Sequence, residues 1–140
     1  MLARSATAVR LASHRVSLDA HADDVERLVA AISGEHEAVP PDVKALVAQG
    51  FSREVIDAAA RGGVIVRISP DIVVARSLVA RATEVVRDHA ASGVTVSTVR
   101  GTLGTSRKYA VPLLEHLDRT GVTRRDGDLR FPRDGSPGAT

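Results

Sequence analysis

Cysteine and tryptophan are absent from this sequence, and its aromatic side chains are three, Phe51, Tyr109 and Phe131. Without cysteine there are no disulfides, thiolate metal sites or cysteine nucleophiles. With so few aromatics the core must be Val, Leu, Ile and Ala, and a platform that stacks several bases is excluded. No apolar run approaches the ~20 residues needed to span a bilayer. The five histidines, His14, His21, His36, His89 and His116, include no pair at zinc-ligand spacing. What remains is a chain of 140 residues, 44% hydrophobic, with a formal net charge of +2. That is enough for one domain or two small ones, and too apolar for general disorder.

Glycines punctuate the chain into a repeat. Residues 19–33, "DAHADDVERLVAAIS", carry Val25, Leu28, Val29 and Ile32 at helical spacing, with Asp at the start and Gly34 after the end. "DVKALVAQ" (42–49) and "SREVIDAAAR" (52–61) read as two further helices, and "VIVRI" and "IVV" as strands about the turn "SPD". The order then recurs. Residues 77–92 give a helix, "VTVSTVRGTL" an extended start and a second helix, and "GTSRKYAVPLLEHLDRTG" (104–121) a third. "VTRR" and "LRF" form a hairpin about Asp126-Gly127. Gly34 and Gly93 are 59 apart, as are Gly62 and Gly121, and G-x-S-R occurs at Gly50–Arg53 and Gly104–Arg107. Two copies of helix–helix–helix–hairpin predict a mainly α fold with small β-hairpins (α+β), two tandem winged helix-turn-helix domains. The first spans 19–75 and the second 76–133; 134–140 is a polar flexible tail. Residues 1–18 read as the tail of an upstream segment or a leader; "MLARSATAVRLASHRVS" is Arg- and Ser-rich without an acid, the composition of a transit peptide.

The copies act as controls for one another. Residues 100–133 hold eight Lys or Arg against four Asp or Glu, a net +4, and the rest of the chain nets −2. In a winged helix the third helix usually meets nucleic acid and the hairpin is the wing. The third helix and hairpin of copy one carry Arg53, Glu54, Asp57, Arg61 and Arg67, a mixed set. Copy two carries Arg107, Lys108, Arg119, Arg124, Arg125 and Arg130 there. The fold requires neither set, so copy two is expected to bind a polyanion and copy one to space or orient it, with affinity largely intact when 19–75 is removed.

Catalytic patterns fail on inspection. "GTLGTSRK" departs from the phosphate-loop spacing at Ser106 and lies between helices. "GFSRE" lacks the second glycine of a nucleophile elbow. Glu115 and Asp118 read as ordinary surface ion-pair partners beside Arg119, His89 as a core or boundary histidine, and His116 as a surface helix position. No enzyme is expected, and no metal site.

The segment "VRGTLGTSRKYAVPLLEHLDRTGVTRRDGDLRFPR" closely resembles the C-terminal winged-helix domain of SelB, the bacterial selenocysteine-specific translation elongation factor. "GFSREVIDAAARGGVIVRISPDIVV" is similar to the preceding winged helix of that family, and "VRLASHRVSL" to the segment entering it. The resemblance implies a cytoplasmic, RNA-binding role in protein biosynthesis. It implies gripping the selenocysteine insertion hairpin of an mRNA for recoding of UGA, with the ribosome an indirect partner, no membrane, and a monomeric chain. In that family GTP and magnesium belong to a GTPase part, which this sequence does not contain; no cofactor is expected here. The chain is accordingly expected to be a fragment, a split gene product or a mis-started frame. The alternative is a winged-helix DNA-binding transcriptional regulator, and a second rival is a protein-interaction module.

The residues expected to hold RNA are Arg100, Ser106, Arg107, Lys108, Tyr109, Arg124, Arg125 and Arg130. The N-terminus of the third helix offers unpaired N–H groups and a positive dipole end to a phosphate, with Arg107 and Lys108 adding charge and Ser106 capping or donating. Arg100 reaches the same backbone, and Arg124, Arg125 and Arg130 clamp a second strand from the wing. Tyr109 either stacks on an unpaired base or belongs to the core, and an Arg guanidinium is the substitute stacker. Pro112 inside the helix is expected to kink it.

Overall fold

Caps and apolar stripes place the helices where the glycine spacing predicts them. The computed structural model describes residues 21–133, so the leader or upstream segment at 1–18 and the tail at 134–140 lie outside the described residues. Helix α1 (Ala22–Ala31) starts with Asp23 and Asp24, which suit its positive end. A 3-10 turn (Gly34–His36) and a proline-rich loop lead to α2 (Val43–Ala48), capped by the Asp42 carboxylate, which accepts from the Ala45 N–H at 2.9 Å. In α3 (Arg53–Arg61) the Ser52 hydroxyl caps Val55 in the same way. Strands β1 (Ile65–Ser69) and β2 (Ile72–Ala75) pair antiparallel and complete the first unit.

The second unit begins without a linker. Helix α4 (Arg76–Asp88) follows β2 directly, then α5 (Val96–Leu103), α6 (Arg107–Arg119), β3 (Thr123–Asp126) and β4 (Leu129–Pro132). Val94 forms an isolated antiparallel bridge with Arg130 on the other edge of the two-stranded hairpin. Gly104 closes α5 in the left-handed region at φ 70°, a conformation that admits glycine freely. Helix α6 runs unbroken through Pro112, and Tyr109, Leu113 and Leu117 form its inward stripe together with Ala110 and Leu114.

The hairpin of the first unit is not a free wing. Ile65, Val73 and Ala75 face the first core, beside Leu28, Leu46 and Ile56. Ile68, Ile72 and Val74 face the second, beside Leu78, Val86, Leu114 and Leu117. The ribbon is thus buried on both sides, which explains why "VIVRI" and "IVV" lack polar alternation. This corrects the expectation that residues 19–75 are dispensable to the second unit, since removing them strips one wall from its core.

Polar contacts close the same seam. The Tyr109 hydroxyl, in a side chain 4% exposed, donates to the Pro40 carbonyl at 2.6 Å. Lys108 Nζ meets Asp42 Oδ2 at 2.8 Å, and Thr105 donates to the Ala38 carbonyl. Arg119 donates to the Ile68 carbonyl at 3.2 Å, and Glu37 accepts from both Ser77 and Arg81. Tyr109 is therefore a strut between units, and base stacking by its ring is excluded in this arrangement.

The wing is fastened by one ion pair. Arg130, 3% exposed, gives Asp118 Oδ2 two hydrogen bonds, from Nη2 at 2.9 Å and Nε at 3.2 Å. Thr123 donates to the other carboxylate oxygen at 2.7 Å. Arg130 is thus a buried anchor and not an RNA clamp, and Asp118 is its partner rather than a surface ion pair with Arg119. Asp118→Ala leaves a buried guanidinium uncompensated and should cost about 3–5 kcal/mol, seen as a fall in Tm on thermal denaturation.

The Ser77 hydroxyl and then Arg81 hold Glu37 below its ordinary 4.5, and Lys108 and the Ala45 N–H hold Asp42 below 3.8. A depressed carboxylate stabilises the fold above its unfolded value and loses that contribution as pH falls through the folded one. Stability should therefore drop as the solution is taken below about pH 4, and Glu37→Gln and Asp42→Asn should each flatten that acid limb of a Tm-against-pH curve.

Candidate nucleic-acid interface

The head of α6 differs from its counterpart in copy one. Ser52 spends its hydroxyl on the helix cap, whereas Ser106 occupies the cap position without such a bond. The Ser106 carbonyl takes the N–H groups of Tyr109 and Ala110, while those of Arg107 and Lys108 have no acceptor among the described residues. The helix therefore opens on two free donors, a free hydroxyl and the exposed Arg107 side chain.

An open cleft of about 350 Å³ lies between this helix head, the start of α5 and the wing. Thr95, Ser97, Arg107, Arg125, Asp128 and Arg130 are among its lining residues. Arg107 and Arg125 bring positive charge into it from two different elements, and Asp128 adds an acceptor. The Thr95 hydroxyl is committed to the cap of α5, accepting from the Thr98 N–H at 3.1 Å. Thr95, Ser97 and Asp128 were not singled out by sequence reasoning; the turn "DGD" and the helix-start pattern at Thr95 were the signals that could have found them.

Strand alternation divides the wing arginines. Arg125 lies opposite Arg130 on the face turned to α6, and its Nε donates to the Gly127 carbonyl at 2.9 Å. Arg124 lies opposite Phe131 on the other face, its guanidinium 4.6 Å from the ring centroid. Arg100 is exposed on α5. Among the described residues, none of the ion pairs involves Arg100, Arg107, Arg124 or Arg125. In the first unit, by contrast, Arg67 on the hairpin is paired with Asp57 of α3 at 2.6 Å. Lys108 stands between these cases: its ammonium is half exposed, but Asp42 holds it and raises its pKa. His116 is pushed down by burial and then by Arg119, which disfavour its charged form.

The structure therefore brings Arg107 and Arg125 to one cleft, with Ser106 at the cap position of α6 and its hydroxyl unspent. It sets Arg124 on the opposite wing face, keeps Arg100 on α5, and draws Lys108, Tyr109 and Arg130 into internal contacts. Among the described residues no helix is long and apolar enough to cross a membrane, and no His, Cys, Asp or Glu cluster suits a metal.

Comparison with known proteins accords with this architecture. Residues 87–131 match the family model described as elongation factor SelB, winged helix. The mRNA-binding domain of elongation factor SelB from E. coli, solved in complex with SECIS RNA, superposes with a TM-score of 0.66 at 25% identity, over 84% of this chain and 98% of that domain. A bacterial selenocysteine-specific elongation factor, EF-Sec, shares the fold with a TM-score of 0.67 at 22% identity, over 78% of this chain. This chain covers 18% of that longer protein. No curated protein matches the sequence. The tandem is thus similar to the C-terminal winged helices of the SelB elongation factors, in sequence over residues 87–131 and in fold over both units.

Proposed function

We propose that this chain is the RNA-binding end of a selenocysteine-specific elongation factor, holding the selenocysteine insertion hairpin of an mRNA for recoding of UGA in the cytoplasm. The observation that carries the reading is the gathering of unpaired Arg107, Arg124 and Arg125 at the α6 head and on a hairpin whose first-unit counterpart has its one arginine paired with Asp57, in the part that matches the SelB winged-helix model. A hairpin phosphate at the α6 N-terminus meets the free N–H groups of Arg107 and Lys108, the Ser106 hydroxyl and the Arg107 guanidinium. Arg125 grips from across the cleft, and Arg100 and Arg124 extend the basic surface to further phosphates. The first unit orients: its hairpin and the Pro40–Asp42 loop fix α6 and leave its head facing outward.

In this reading the described residues bind and orient the message and make no bonds themselves. GTP hydrolysis and delivery of the charged tRNA fall to other parts of the proteins it resembles, and the ribosome is reached through the message.

Binding should be measured by fluorescence anisotropy, using a stem-loop taken from beside an in-frame UGA codon of the host's own messages and a DNA duplex of equal charge. The hairpin should bind more tightly. Arg107→Ala should weaken it and lower the salt slope by about 1. Lys108→Ala should have a smaller effect on the slope, because Asp42 already holds that ammonium. Equal affinity for duplex DNA would support a DNA-binding regulator instead, and an unchanged slope in Arg107→Ala would remove the α6 head from the site.

A further inference from the structure

The two faces of the wing carry arginines in different states. On the inner face Arg130 is consumed by Asp118, and Arg125 leans back on the Gly127 carbonyl. On the outer face Arg124 is exposed and has no carboxylate partner among the described residues, although Asp126 lies on the same face towards the turn. Its guanidinium instead rests over the Phe131 ring, directly opposite in the ladder. A planar cation on an aromatic face keeps its edge N–H groups available while losing much of its rotamer freedom.

Phe131 is itself fixed from beneath. A Cβ on Gly93 would come within 2.7 Å of the ring and 3.1 Å of Leu129 Cβ. Gly93, at φ 80°, thus lets the ring settle against the backbone that precedes Val94. The order of support is Gly93, then Phe131, then Arg124. The first unit has no equivalent, since its hairpin strands carry no aromatic residue and their one arginine, Arg67, is paired with Asp57.

We infer that Phe131 is a positioning residue for RNA binding: it holds Arg124 flat on the outer wing face as a preformed phosphate contact, so that the wing grips RNA from both faces. This rests on the RNA-binding reading and adds to it a second contact surface, facing away from the Arg107 and Arg125 cleft. Preorganisation is the physical gain, because the side-chain entropy of Arg124 is largely spent before the phosphate arrives.

The test uses the whole chain and the same stem-loop. Arg124→Ala should weaken binding roughly tenfold and reduce the salt slope by about 1. Phe131→Leu should weaken binding severalfold while keeping the slope, since the charge remains; Phe131→Tyr should restore wild-type affinity. Combining Phe131→Leu with Arg124→Ala should bind no worse than Arg124→Ala alone, a coupling that a purely structural Phe131 would not show. Additive losses would overturn the inference. Arg124→Lys leaves the ring packing untouched, so it serves even if Phe131→Leu folds poorly. Wild-type affinity in Arg124→Lys would overturn the inference, and a loss close to that of Arg124→Ala would support it. If Arg124→Ala binds normally while Arg107→Ala is weakened, only the outer-face contact falls. If the wild-type chain shows no preference for the stem-loop, the RNA-binding reading falls with it.

Discussion

One two-stranded ribbon holds the molecule together. Strands β1 and β2 send alternate side chains into two different cores, Ile65, Val73 and Ala75 to one and Ile68, Ile72 and Val74 to the other. Each fully buried aliphatic of this size contributes on the order of 1.5–3 kcal/mol, so the shared hairpin is a large part of what either unit buries. A ribbon used on both faces cannot hinge freely at the following helix, and here α4 starts at the next residue. The two winged helices are consequently one mechanical body at this joint. The polar contacts of Tyr109, Lys108 and Glu37 then select the angle that the apolar contact permits.

That arrangement gives the two copies different surfaces without different folds. A hairpin covered on both sides has lost the exposed wing that nucleic-acid binding requires. The first unit also spends its hairpin cation inward, on Asp57. The second unit keeps a free hairpin, but freedom is marginal for a two-stranded ribbon in water. Its support comes from Arg130 and Thr123 converging on Asp118, and from the Val94 bridge on the other edge of β4. One of the wing arginines is therefore spent so that the others can be presented. The net positive charge of the segment counts both kinds alike, which makes it a poor guide to which cations are available.

The elements themselves were legible in the sequence, because they follow from local rules. Glycine spacing, capping residues and 3.6-residue stripes place six helices and two hairpins to within a few residues of where they lie. The double burial of β1 and β2 was also written there, in the absence of polar alternation, but reading those strands as a wing by analogy with copy two obscured it. Within the site, the fates of Lys108, Tyr109 and Arg130 were not legible. Each depends on a partner far away in sequence or across a strand: Asp42, the Pro40 carbonyl and Asp118. Tyr109 gave the clearest warning, since it shares a stripe with Leu113 and Leu117 four and eight residues on. Periodicity of that kind outweighs the chemical appeal of a lone aromatic beside two cations.

The first turn of α6 shows why the remaining cation is informative. Two basic residues at a helix N-terminus oppose the macrodipole and so disfavour the helix start. For Lys108 the cost has a local remedy, because its ammonium is drawn to Asp42 and the pair braces the units together. Arg107 has no such remedy among the described residues, and the cap hydroxyl beside it is also unspent. A stable helix start would have used that serine as Ser52 is used in the first unit. Cap, backbone donors and guanidinium left open at one point all favour the same kind of ligand, an anion. An anion docked there would offset the cost of the two cations and of the unspent cap.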